Sequence, residues 1–253
     1  IVQLSIEHGN CDGSVVGYSQ FGSFLPRLFG KYKEASEFDL LAKALVSARG
    51  LNSYAARLEF NSSITGFWTD NLAVSTERMQ SAAEMALRHG DSAFAAFACG
   101  HVLVDFVISG MPLAAVHQQS VNFVEFYSQR NLPVQWDTNN FIRRLTRRYS
   151  AGSAELLELE QTEEAYLSEL IAGNPLVGAL YHVLMMQVHF VWGDYERALT
   201  SSRRAKETLW AHVTFAGECE YWFYYPLILA ALFDDQSLNE KCRTIELLEN
   251  SVE

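Results

Sequence analysis

The stretch Gly193-Asp194-Tyr195-Glu196-Arg197-Ala198-Leu199 decides the fold of this chain. Glycine at its start permits the left-handed backbone that ends a helix. Tyrosine offers a large ring to pack between two helices, and alanine lets their backbones approach. An apolar-periodic segment precedes the stretch and another follows it, the pattern of an antiparallel helix pair. The same turn returns as Gly30-Lys31-Tyr32 with Ala35. Weaker versions stand at His89-Gly90-Asp91 and Ser109-Gly110-Met111-Pro112.

Anchoring on those turns predicts helices near 13–29, 32–49, 51–68, 71–89, 91–109 and 112–130, then near 133–149, 153–172, 175–192, 195–210, 214–234 and 236–251. Successive pairs begin at intervals of about 40 residues, within the helical-hairpin repeat range and longer than the roughly 34 of a tetratricopeptide unit. Pro112, Pro133 and Pro175 fall in first turns, where a missing N–H does no harm. Asn174 and Asp70 are expected as N-caps, and Gly30, Gly50, Gly90, Gly110 and Gly193 follow helix ends. Pro26 and Pro226 fall inside helices, which predicts a kink or an early end at each. No run of β-branched alternation is long enough for a strand, so the expected fold class is all-α. Segments 91–109 and 175–192 are apolar nearly all round and should be buried on several sides.

Composition sets the boundaries of function. The chain of 253 residues is 49% hydrophobic and 19% charged, enough apolar surface to offset the entropy of ordering and to exclude disorder. Thirty acidic against 19 basic residues give a net charge of −11, which argues against nucleic acid or an anionic membrane as partner. The longest apolar run, 93–108, contains Gly100, His101 and Asp105, too short and too polar to span a bilayer. The start IVQLSIEHGNCDG has neither the basic residues nor the apolar core of a signal peptide. Cys11, Cys99, Cys219 and Cys242 form no C-x-x-C pair, as expected of a reducing, cytoplasmic setting. The first residue is Ile1 rather than Met, so excision from a longer chain is expected.

The sequence around residue 193 resembles the G-D-Y-x-x-A-L turn of tetratricopeptide repeats. A wider set of residues extends the likeness: Tyr18-Ser19-Gln20-Phe21-Gly22, then Phe29-Gly30-Lys31-Tyr32 with Ala35, Phe38 and Ala42. Ile64 with Trp68, His89-Gly90-Asp91 with Ala95, and Glu220-Tyr221-Trp222-Phe223-Tyr224 continue it. This succession resembles the helical-repeat region of large multi-domain signalling proteins, the STAND-type predicted ATPases with multi-sensor kinases. The resemblance implies a single tetratricopeptide-like domain over 1–253, a right-handed superhelix of about six antiparallel hairpins. It also implies that kinase and ATPase modules flank the repeats. Neither a G-x-x-x-x-G-K-[ST] loop nor H-R-D or D-F-G elements occur in the sequence itself.

Several groups of residues invite a chemical reading. His101 and Asp105, one helical turn apart, read as a buried polar pair bridging two helices, or as a general-base dyad or ligand hook. His182 and His189, with Met185 and Met186 between them, read as core, because a helix that binds metal places its histidines four apart. Arg143, Arg144, Arg147 and Arg148 concentrate positive charge on one side of a helix. They suit an anionic partner, or ion pairs with the glutamates of 153–172 (Glu155, Glu158, Glu160, Glu163, Glu164 and Glu169). Tyr221, Trp222, Phe223, Tyr224 and Tyr225 cannot all point inward from one helix, so Trp222, Tyr224 and Tyr225 are candidates for an exposed aromatic anchor.

Without a catalytic signature, metal set or cofactor motif, the expected function is non-enzymatic, with no cofactor. A concave surface of stacked hairpins would bind a protein partner, or the flanking domains of the parent chain, in a regulatory scaffold. The alternative is a small-molecule sensor whose helices enclose an apolar pocket.

Overall fold

The computed structural model describes residues 1–51, 54–129, 134–150, 168–169, 172–212, 216–234 and 236–249. Every regular element among them is helical. In chain order these are α1 (Val2–His8), α2 (Asp12–Phe29), α3 (Tyr32–Arg49), α4 (Ala55–Thr69), α5 (Leu72–Arg88), α6 (Ser92–Ile108) and α7 (Leu113–Ser128). They continue with α8 (Val134–Ser150), α9 (Pro175–Val191), α10 (Tyr195–Thr208), α11 (Ala216–Ala231) and α12 (Leu238–Glu249). A 3-10 turn, Leu209–His212, extends α10. None of these helices is long and apolar enough to cross a membrane. The chain divides into two compact units, Ile1–Leu156 and Leu157–Glu253.

Local chemistry sets the ends of the helices. At Gly30 the backbone turns left-handed (φ 63°), and its N–H donates to the Pro26 carbonyl at 2.9 Å. At Gly193 (φ 78°) the chain reverses in the same way, and Asp194 N–H donates back to the His189 carbonyl at 2.9 Å. These bonds satisfy carbonyls that a helix end would otherwise leave open. Asp194 and Asp91 then cap the next helices, accepting from Arg197 N–H (3.2 Å) and Phe94 N–H (3.1 Å). Asn174 caps α9 as expected, accepting from Leu176 and Val177 N–H. Before α5, however, the cap is Asn71, which accepts from Ala73 N–H at 2.7 Å; Asp70 instead pairs with Arg78 at 2.5 Å. Neither internal proline ends its helix early: α2 runs on to Phe29 and α11 to Ala231. Pro26 sits in the last turn, so it forfeits the single bond to the Gly22 carbonyl and little helix is left beyond it to disrupt. At Pro226 the helix accepts the loss because its flanks, Tyr225 and Ile228, are buried.

Within the first unit, consecutive helices pair as α2 with α3, α4 with α5 and α7 with α8. Alternate helices also touch, α2 with α4 and α6 with α8. Phe60 on α4 meets Phe94 and Phe97 of α6 at ring-centroid distances of 5.5 and 5.2 Å. Close approach of α2 and α3 depends on Gly22, where a Cβ would stand 3.1 Å from Phe38 Cβ and 3.2 Å from the Ala35 carbonyl. Helix α6 is buried on nearly every side, from Ala95 through Phe106, as its all-round apolar sequence requires. Tyr127 of α7 is fully buried, and its hydroxyl donates to the Ala96 carbonyl of α6 at 3.0 Å.

A polar seam runs through this core. Asn61 on α4 donates to Ser19 on α2, Ser62 donates to Asp39 of α3, and Ser63 donates to the Ser75 carbonyl of α5 at 2.6 Å. Small hydroxyl side chains allow helices to sit close while keeping buried polar groups paired.

The second unit repeats the pattern on a smaller scale. Helix α9 pairs with α10, and α11 packs on both. Val183, Met186, Ala198, Ala205, Tyr221 and Ile228 lie at its core.

Candidate functional site

Helix α11 carries the densest aromatic run, and its 3.6-residue period sorts that run into two faces. Tyr221, Tyr225 and Ile228, spaced by four and three, form the inward stripe. The rings of Tyr221 and Tyr225 stack at 5.4 Å with 14° between their planes. Tyr225 is only 8% exposed, so it is core and not an anchor. Tyr224 is half-buried at the edge of that stripe. Its ring lies 5.5 Å from Phe190, and its hydroxyl accepts from Gln187 Nε2 at 3.2 Å. It too is taken up inside the unit.

The outward face belongs to Trp222, Phe223 and Leu227, at 39%, 61% and 39% exposure. Trp222 is thus the most exposed member of the expected trio. Phe223, the most exposed ring of the run, was missing from that trio. It could have been found: with Tyr221 placed inward, residues one and two further along a helix must point away. Trp222 touches Tyr221 edge-on at 5.0 Å, which holds its indole against the helix surface.

In the first unit, the His101 ring is half-buried and sits edge-on to Phe97 (4.8 Å) and Phe60 (5.2 Å). Asp105, a turn later, is 2% exposed, and its Oδ2 has no hydrogen-bond partner among the described residues. Burial drives its carboxyl well above the usual carboxylate range. The two residues expected as a pair thus sit in different settings, Asp105 in the core and His101 among aromatic rings.

The arginine cluster lies on α8. Arg143 and Arg144 are half-buried and Arg147 is exposed, while Arg148 belongs to the same helix. Arg143 Nε is buried without a hydrogen-bond partner among the described residues. The opposite side of α8 is core: Phe141, Ile142 and Leu145 are buried, and Thr146 Oγ1 lies 3.1 Å from His117 Nδ1. Of the acidic residues expected to pair with the cluster, only Glu169 lies among the described residues, and it is exposed. The expected ion pairs with 153–172 therefore lie outside the described residues.

His182 is buried on α9. Burial, with the nearby positive charge of Arg204, lowers its pKa to about 4. Its ring lies edge-on to Tyr181 at 5.1 Å. Cys99 is buried in α6, and burial pushes its thiol up to about 12, so it behaves as a small apolar group. Cys11, Cys219 and Cys242 are exposed. Among the described residues no three His, Cys, Asp or Glu side chains come together to hold a metal ion.

No protein-family model, no curated protein and no solved structure matches the chain.

Proposed function

We propose that the chain is a non-catalytic interaction module, a regulatory scaffold of the kind found in cytoplasmic signal transduction, whose hairpins wind as tetratricopeptide-like repeats and hold a protein partner. The observation that carries this reading is the outward face of α11. Trp222, Phe223 and Leu227 present two aromatic rings and a leucine to solvent on a helix whose other side is anchored in the core. Aromatic side chains on rigid elements are the groups that dominate protein–protein binding, because they bury much area at small entropic cost. Pairing of alternate as well as consecutive helices supports the repeat arrangement. The partner is a protein, or a domain flanking these repeats in a parent chain.

The test is a binding titration of the intact chain against each flanking domain, with Trp222→Ala and Phe223→Ala made singly and together. Truncation of a central aromatic anchor costs about 2 kcal/mol or more, at least a tenfold loss of affinity. The variants should melt like the parent, since neither ring is core. Unchanged affinity in the double variant, or no binding to any neighbouring domain, would overturn the reading.

A further inference from the structure

The hairpin of α9 and α10 forms an open cleft of about 200 Å³. That is the space of roughly six or seven waters at their liquid volume of about 30 Å³ each. It is too small for a drug-sized molecule and large enough for one charged group with a short substituent.

Helix α9 supplies Tyr181, His182, Met185 and His189 to its wall, and α10 supplies Arg197, Thr200, Ser201 and Arg204. Arg197 and Arg204 are seven residues apart, two turns, and so lie on one face with Ser201 between them. Among the described residues no carboxylate lines the cleft, in a chain where acidic residues outnumber basic ones 30 to 19. Arg197 is partly occupied, its Nε 3.4 Å from Asp194 at the helix cap. Arg204 forms no ion pair among the described residues, and the Ser201 hydroxyl forms no hydrogen bond among them. The Thr200 hydroxyl donates to the Glu196 carbonyl at 3.0 Å and keeps only its lone pairs. Arg203, one position earlier, is not part of the cleft lining, and its charge lies near Tyr225 of α11 instead.

From this arrangement we infer that the α9–α10 cleft binds a phosphoryl group carried by a small molecule. Two guanidinium groups and a hydroxyl donor approach from one helix, and imidazoles line the other wall. Donors from several directions suit a tetrahedral oxyanion better than a planar carboxylate, and guanidinium forks match phosphate oxygens. Met185 and the Tyr181 ring offer an apolar wall for the substituent. The site is independent of the outward face of α11 and goes beyond the role proposed for that face.

The experiment is isothermal titration calorimetry of the full chain with phenyl phosphate, and with benzoate at matched ionic strength. Phenyl phosphate should bind and benzoate should bind at least tenfold more weakly. Arg204→Gln should weaken phenyl phosphate at least tenfold, as expected for loss of a charge-assisted contact. Ser201→Ala should weaken it about threefold, and Arg203→Gln should leave it unchanged. Arg204 and Arg203 are both exposed, so thermal melts should confirm that these variants fold. Absence of phenyl phosphate binding would overturn the inference. So would equal affinity for benzoate, or a loss no greater for Arg204→Gln than for Arg203→Gln.

Discussion

Asn61 Nδ2 donates to Ser19 Oγ at 2.9 Å, joining α4 to α2 across 42 residues of sequence inside the first unit. Ser19 Oγ in turn donates to the Val16 carbonyl at 3.2 Å, so the hydroxyl both gives and receives. Both side chains are buried. Asn61→Ala should destabilise the protein by about 1–3 kcal/mol, the range for losing a buried hydrogen-bonded partner. In a double-mutant cycle with Ser19→Ala, the second change should cost less than it does alone, since the bond is already gone. Strictly additive losses in urea denaturation would show that the two side chains do not act as a pair.

Asp105 and stability oppose each other as pH rises. Its folded pKa lies well above its unfolded value of about 3.9. Below that unfolded pKa both states hold the proton and its burial carries no charge penalty. As pH climbs, the unfolded chain releases the proton while the folded chain keeps it, so stability falls. Asp105→Asn keeps the shape and removes the titration. The variant should match the parent near pH 4 and melt higher at neutral pH, with a gap that widens as pH rises. A gap independent of pH would sink this account.

His182 acts in the opposite sense. Its pKa is depressed to about 4 in the folded chain against 6.5 unfolded. Between those values acid protonates the unfolded state first, so stability is lost as pH falls from about 6.5 toward 4. His182→Gln should flatten the slope of unfolding free energy against pH in that window, whatever it does to stability at pH 7. An unchanged slope would assign the acid sensitivity to other groups.

Two helical glycines should answer alanine in opposite directions. At Gly100 in α6 nothing among the described residues lies within 4 Å of an added Cβ. Gly100→Ala should therefore stabilise by about 0.5–1 kcal/mol through reduced backbone entropy in the unfolded chain. At Gly22 the same gain meets Phe38 Cβ at 3.1 Å and the Ala35 backbone at 3.2 Å. Gly22→Ala should force α2 and α3 apart and destabilise by about 1–3 kcal/mol. Paired thermal melts of the two variants decide the matter, and a gain at Gly22 would show that α3 can yield.

Helix boundaries were most legible where a left-handed glycine or a polar cap marks the end. The expected 32–49 coincides with α3 because Gly30 and Gly50 flank it, and 175–192 differs from α9 only at its last residue. Helix α1 escaped because its seven residues are too few to show a helical period. No early end follows at Pro226, where sequence displays the lost N–H but not the buried neighbours Tyr225 and Ile228. Aromatic composition announced the importance of 221–225, while only the phase of the helix assigns Tyr225 inward and Phe223 outward. The α9–α10 cleft was illegible for a different reason. Arg197 and Arg204 look dispersed in a linear chain, and only the pairing of two helices brings them opposite His182 and His189.

The hydroxyl and amide bonds between α2, α3, α4 and α5 have a mechanical consequence. Apolar side chains tolerate sliding, because one methyl group can replace another at little cost as two helices shear. A directional bond such as Asn61 to Ser19, or Ser63 to the Ser75 carbonyl, is lost as soon as its helices move by a fraction of a turn. The seam therefore works as a notch that fixes the register of neighbouring hairpins. Under a pulling force this block should resist shear and yield abruptly as one piece, in contrast to a purely apolar stack, which would creep.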